Sequence, residues 1–129
     1  MNGKEKMNKS EIEQRLAEMQ LDPAQYWVLA GGAMVMHGFR EETTDIDLGC
    51  TTDLADELQR RGVPAEELID GTRKLVLSHD IELFENWCYG QIIRINDIPV
   101  ISIDGLLQMK RELGREKDLR DIQLILNKS

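Results

Sequence analysis

Positive charge is scarce in this chain of 129 residues: 16 Lys and Arg stand against 24 Asp and Glu, a formal net charge of −8. Phosphate backbones need a basic surface, so general nucleic-acid binding is not expected. A single nucleotide is still compatible, because a metal ion and a few basic residues can hold it. Cysteine is equally sparse. Cys50 and Cys88 form neither a disulfide framework nor a metal-ligand spacing, which leaves reduced thiols and a cytoplasmic location as the expectation. The two histidines, His37 and His79, also lack ligand spacing. Aromatic residues make up 5% of the chain. No apolar run approaches the ~20 residues of a membrane span, and the polar first eleven residues do not read as a signal peptide. No internal repeat, linker or low-complexity segment is visible. The length suits one domain over residues 1–129, with residues 1–8 expected to be flexible.

What the chain does have is concentrated in residues 26–50. Trp27, Val28, Leu29 and Ala30 form a short apolar run, as in a strand buried on both faces. Gly31 and Gly32 end it, allowing positive φ and close approach of a ligand to the backbone. Residues 33–37 read as a helix whose free N–H groups and positive dipole end suit a phosphate. A second strand follows, carrying Asp45 and Asp47. Alternation puts both carboxylates on one strand face and turns Ile46 and Leu48 into the core. Like charges so close repel each other, and a divalent cation relieves this; hard oxygen ligands suit Mg²⁺ or Mn²⁺. A phosphate cradle beside a metal-binding carboxylate pair implies handling of a nucleoside triphosphate.

The glycine pair, twelve intervening residues and Asp45-x-Asp47 resemble the signature of the DNA polymerase β-like nucleotidyltransferase superfamily. Arg40, Thr43 and Thr44 bring the match closer to its small bacterial branches, the lincosamide-type antibiotic nucleotidyltransferases and nucleotidyltransferase-like toxin–antitoxin components. Residues 107–122, LQMKRELGREKDLRDI, resemble the end of those domains. The resemblance covers residues 26–126. It implies an α+β nucleotidyltransferase fold, with a mixed twisted sheet and helices packed mainly on one face. It also implies a third carboxylate from a later strand, here Glu82, with Asp80 as the runner-up. That branch more often has Asp at this place. Asp45, Asp47 and Glu82 would then be the metal-binding catalytic set. Gly31, Gly32, Arg40, Thr44 and Lys110 would bind the nucleotide, with Arg40 or Lys110 answering charge on the leaving pyrophosphate.

Elsewhere, Ser10-x-x-Glu13 fits a capping box for a first helix ending near Gln20. Thr51–Gly62 reads as a second helix, residues 64–70 as a short helical turn, and residues 74–79 and 80–85 as strands. Residues 92–95 and 98–101 read as a hairpin about Asn96-Asp97 or as one strand with a bulge. One helix starts at Ser102 and is interrupted at Gly114. A last one over residues 117–126 buries Leu119, Ile122, Ile125 and Leu126. Lys110, Arg111, Arg115 and Lys117 read as a solvated face paired with Asp118 and Asp121, with Lys110 the exception.

The function expected is Mg²⁺-dependent transfer of a nucleoside monophosphate from a triphosphate to a hydroxyl of a small molecule or protein, releasing pyrophosphate. A homodimer or partner protein could complete the acceptor site, since antibiotic-modifying relatives resemble this domain with extra helices. The alternative is a non-catalytic, partner-binding module of a toxin–antitoxin-type pair.

Overall fold

The computed structural model describes residues 5–128, so the flexibility expected of residues 1–4 lies outside the described residues. Within residues 5–8, Met7 and Asn8 make specific contacts. Met7 is 5% exposed and exchanges two backbone hydrogen bonds with Thr43, at 2.7 and 3.0 Å. One buried side chain with a bridge partner anchors a segment whose average composition is polar. Helix α1 (Lys9–Met19) is capped by Asn8, which accepts from the Glu11 N–H at 2.9 Å while the Glu11 carboxylate accepts from the Asn8 N–H at 3.0 Å. The capping box is therefore Asn8–Glu11 rather than Ser10–Glu13. Both pairs have the required spacing, and the bridge at Met7 fixes the backbone just before Asn8.

In chain order there follow β1 (Tyr26–Leu29), α2 (Ala30–Met36), β2 (Ile46–Cys50), α3 (Thr52–Arg60), β3 (Ala65–Glu67), β4 (Arg73–Ser78), β5 (Ile81–Glu85), β6 (Ile92–Ile95), β7 (Ile98–Ile101), α4 (Ile103–Leu113) and α5 (Glu116–Lys128). The seven strands form one sheet in the order β3-β4-β5-β2-β1-β7-β6. It is mixed: β1 runs antiparallel to β2 and parallel to β7, and β2 runs parallel to β5. The α+β class and mixed sheet are those expected. Val28, Ile46, Leu48, Leu75, Ile81 and Leu83 share one face and are at most 1% exposed. Ile12 and Leu16 of α1, Met34 and Met36 of α2, and Leu54 and Leu58 of α3 join them in a single apolar core. The residues between them on β2 and β5, Asp47 and Glu82, take the opposite face.

Three local expectations are corrected. Helix α2 starts at Ala30 and contains both glycines; the positive φ falls on Ala30, at 53°, and not on Gly31 or Gly32. Ala30 is the smallest chiral residue that could take that conformation, at a cost of roughly 1 kcal/mol. Residues 65–67 are not helical but form β3, an exposed edge strand against β4. With no apolar face of their own, their backbone is satisfied by pairing with a neighbour. On α5 the buried stripe is Asp118, Asp121, Ile122 and Ile125, while Leu119 and Leu126 are 55% and 47% exposed. A charge network at Lys110, described below, turns the helix this way.

Two buried acids lock the core side of the sheet. Asp80, in the β4–β5 turn, accepts two bonds from Arg15 of α1, at 2.6 and 2.8 Å, and a third from Ser78 at 2.8 Å. Glu85 accepts from the Arg73 side chain at 2.9 and 2.7 Å. The Arg15 hydrogen bonds hold the Asp80 carboxyl down to about 2, and those from Arg73 do the same for Glu85, also to about 2. Carboxyls depressed in the folded state stabilise it above their unfolded pKa and lose that contribution as they protonate. Folding stability should therefore be full above about pH 4.5 and decline as the pH falls toward 2. Urea midpoints measured across this range should show a shallower decline in Asp80→Asn.

Candidate active site

A cavity of about 230 Å³ opens where β1 meets α2 and where β2 starts. Gly31, Arg40, Thr44, Asp45, Asp47 and Lys110, six of the sequence-selected residues, line it together with Thr43, Ala30, Arg115 and Lys117. Local packing explains the glycines. A Cβ on Gly31 would lie 2.7 Å from Thr43 Oγ1 and 3.3 Å from Arg40 Nη1, and one on Gly32 would lie 2.9 Å from Val28 Cγ1. Gly31 lets the 37–45 loop close down onto the first turn of α2, and Gly32 lets that turn pack against β1. In that loop Thr43 Oγ1 donates to the Asp45 carbonyl and Thr44 Oγ1 to Asp45 Oδ2, both at 3.2 Å. Thr44 thus orients one carboxylate of the pair. Asp47 follows one residue into β2, flanked in register by Leu29 on β1 and Glu82 on β5.

Glu82 therefore shares the sheet face of Asp47, one strand over. Its side chain, 37% exposed, lies 3.8 Å from Lys74 Nζ and borders a neighbouring depression rather than the cavity. Asp80, the runner-up for this role, is bound by Arg15 in the β4–β5 turn and does not line the cavity. Among the described residues, no three His, Cys, Asp or Glu side chains are gathered closely enough to hold a metal ion between them.

The basic wall rests on Asp118 and Asp121, the acids expected to pair with these cations, but both are buried rather than part of a solvated face. Lys110 is 3% exposed, and its Nζ lies 3.3 Å from Asp118 Oδ1 and 2.9 Å from Asp121 Oδ2. Arg40 Nη2 reaches Asp121 Oδ1 at 2.5 Å. Arg115 Nε donates to Asp118 Oδ2 at 2.6 Å, and its backbone N–H to the same oxygen at 3.1 Å. Burial opposes ionisation of Asp118, yet its carboxyl lies below the usual range because the Arg115 hydrogen bonds and the Lys110 charge outweigh it. Burial opposes Asp121 too, and the Lys110 and Arg40 hydrogen bonds outweigh it in the same direction. The Arg115 guanidinium is raised, chiefly by its bond to Asp118, with Asp47 adding to the effect. Three cations thus converge on two buried carboxylates and are held at the cavity wall in advance of any ligand. The sequence did carry a sign of this. Residues 118, 121, 122 and 125 have the spacing of a buried helical stripe, and acids at such positions need buried partners.

Removing the central cation should leave two buried carboxylates short of a partner. Lys110→Ala is expected to destabilise the fold by on the order of 3 kcal/mol, whereas Arg120→Ala, which breaks an exposed pair with Glu116, should cost under about 1 kcal/mol. Urea unfolding of the two variants measures the contrast.

No family model matches the sequence, and no curated protein matches it either. Solved structures do. A Thermotoga maritima protein provisionally assigned as a nucleotidyltransferase superposes with a TM-score of 0.59 at 17% identity, covering 95% of this chain and 97% of that one. ANT(2″)-Ia, an aminoglycoside nucleotidyltransferase solved with adenylyl-2″-tobramycin, superposes with a TM-score of 0.56 at 17% identity, over 93% of this chain and 88% of its own. With Asp45 and Asp47 at the start of β2, a glycine pair opening α2 and a seven-stranded mixed sheet behind them, the chain has the nucleotidyltransferase fold.

Proposed function

We propose that the chain is a divalent-metal-dependent nucleotidyltransferase, moving a nucleoside monophosphate from a triphosphate to a hydroxyl of a small molecule or protein with release of pyrophosphate. The observation that carries this reading is one cavity lined by two carboxylates, Asp45 and Asp47, together with the cations Arg40, Lys110, Arg115 and Lys117. Asp45 and Asp47 are hard oxygen donors and fit Mg²⁺ or Mn²⁺, ions commonly held by one or two carboxylates plus substrate phosphate oxygens. When bound, the ion polarises the phosphoryl group and lowers the pKa of the incoming hydroxyl.

The chain's own residues supply the rest. Arg40 and Arg115, fixed by Asp121 and Asp118, face the charge that develops on the leaving pyrophosphate, and Lys110 adds to the same field. Gly31 and Gly32 stand in the first turn of α2, where backbone N–H groups lack intrahelical partners and can meet phosphate oxygens. Thr44 holds Asp45 in place. Glu82 is the residue for the acceptor's proton. Strands in a sheet lie ~4.8 Å apart, so a glutamate on β5 is within side-chain reach of groups bound at Asp47. The cavity of about 230 Å³ is smaller than the ~300–1,000 Å³ of a site for a whole small molecule. It suits the triphosphate, with the nucleoside lying outside it. The adenylylated product bound to ANT(2″)-Ia favours a small-molecule acceptor here too.

A second reading, a non-catalytic module that binds a partner protein, draws on Leu119 and Leu126. They stand two turns apart on α5 and are 55% and 47% exposed. Calorimetric titration with ATP, GTP, CTP and UTP decides between the two. The transferase reading expects at least one nucleotide to bind only with Mg²⁺ present, and Asp47→Asn to weaken that binding at least about tenfold. A folded protein that binds none of the four would overturn the transferase reading and favour the partner-binding one.

A further inference from the structure

Beyond Asp47, on the side away from the cations, the sheet face continues into a second and larger depression. Glu82 stands beside Asp47 in register. Phe84 lies two residues further along β5 on the same face, opposite Lys74 of β4. Trp87 stacks on Phe84 with ring centroids 4.6 Å apart and planes tilted by 30°. With Leu68 and Ile69 these rings border a largely apolar cavity of about 520 Å³, within the size range of small-molecule sites.

The position of Trp87 is fixed from several directions. Asn86 takes a left-handed φ of 61°, donates its N–H to the Cys50 carbonyl at 2.7 Å and its side-chain amide to Thr52 Oγ1 at 3.0 Å. The Trp27 indole N–H crosses β2 to donate to the Trp87 carbonyl at 2.7 Å. Gly49 makes that crossing possible, since a Cβ there would lie 2.0 Å from Trp27 Nε1 and 2.5 Å from the Trp87 carbonyl oxygen.

We infer that this aromatic platform is the acceptor subsite of the transferase proposed above, and that it takes a compact, neutral or cationic hydroxyl compound with a flat apolar or aromatic face. The inference rests on that transferase reading. Attacking and leaving oxygens lie roughly in line across the phosphorus in phosphoryl transfer. With pyrophosphate leaving toward Arg40, Lys110 and Arg115, the hydroxyl must arrive from the opposite side of Asp47. Glu82 and the platform occupy that side. The hydroxyl oxygen forms a bond to the α-phosphorus, the bond from that phosphorus to the bridging oxygen breaks, pyrophosphate departs with the electron pair, and the hydroxyl proton passes to the Glu82 carboxylate. Charge sets the guest's class. Among the described residues lining the platform, Lys74 is the sole cation, and its Nζ already lies 3.4 Å from Glu66 and 3.8 Å from Glu82. Asp70 and Glu82 are the acids, so an anionic guest is disfavoured while an aromatic or sugar face can stack on the rings.

The test uses full-length protein labelled with 5-fluorotryptophan. Its two fluorine resonances are assigned with Trp87→Phe. The probes are phenyl β-glucoside, glucose 6-phosphate, and the Mg²⁺ complex of the α,β-methylene analogue of whichever nucleotide the calorimetry selects. The glucoside should shift the Trp87 resonance and the sugar phosphate should not. Trp87→Ala should weaken glucoside binding roughly tenfold and change nucleotide affinity by less than about twofold. This variant keeps the backbone carbonyl to which Trp27 donates, and its urea midpoint checks that it is folded. A Trp87 resonance that follows the nucleotide, with nucleotide affinity lost in Trp87→Ala, would overturn the inference and make the platform a nucleobase seat. Nucleotide binding with no Trp87 response to the glucoside overturns the subsite alone. Failure of the wild type to bind any Mg²⁺–nucleotide overturns the transferase reading itself.

Discussion

Lys110 enters the interior of this protein as a cation because Asp118 and Asp121 are buried with it, and those two acids in turn hold Arg40 and Arg115. Much of the architecture follows from that exchange. It sets the rotation of α5, joins α5 to α4, and reaches across to the loop that precedes β2. Burying charge is costly, and replacing such a cluster with apolar residues is often neutral or stabilising elsewhere. Its persistence here makes sense if a fixed cationic wall is what the cavity requires. Cations already held by carboxylates need no reordering when a phosphate arrives.

The alternation of β2 and β5 does the complementary work. Ile46, Leu48, Ile81 and Leu83 fill the core, and the residues between them face outward in register. A slip of one residue in this parallel pair would exchange the two sets. The same packing that stabilises the sheet therefore places Asp47 beside Glu82. Asp45, Asp47 and Arg40 come from one segment, the α2–β2 loop and the start of β2, and Lys110, Arg115 and Lys117 come from the α4–α5 end of the chain.

Much of this was legible in the sequence, and the failures have identifiable causes. Strand periods, the hairpin at Asn96-Asp97 and the Asp45–Asp47 geometry follow from alternation and turn chemistry, which act locally. Of the two roles the sequence allows Gly31 and Gly32, positive φ and close approach, only the second is theirs, because either role is open to a glycine and sequence does not distinguish them. Here Ala30 takes the former role and the glycines the latter. The α5 stripe was misassigned because apolar Leu119 and Leu126 outranked two aspartates whose burial depends on a lysine eight and eleven residues away. Edge strand β3 has no pattern of its own to read; its conformation is imposed by β4. The Phe84–Trp87 pair depends on a left-handed Asn86 and on a glycine beneath a distant indole, and tertiary contacts of this kind leave little trace in periodicity.

The platform's outer rim, Leu68, Ile69 and Asp70, lies in the turn between β4 and β3, a strand of three exposed residues at the sheet's margin. Such a margin opens locally at far lower free energy than the core unfolds. The two halves of the site thus differ in their tolerance of sequence drift. The half proposed to hold phosphate is bolted into the interior through Lys110, Asp118 and Asp121, and substitutions there threaten folding. Side chains on the rim can change with little effect on it. If the platform seats the acceptor as proposed, a lineage carrying this scaffold can exchange one guest molecule for another by altering a margin the rest of the protein hardly registers.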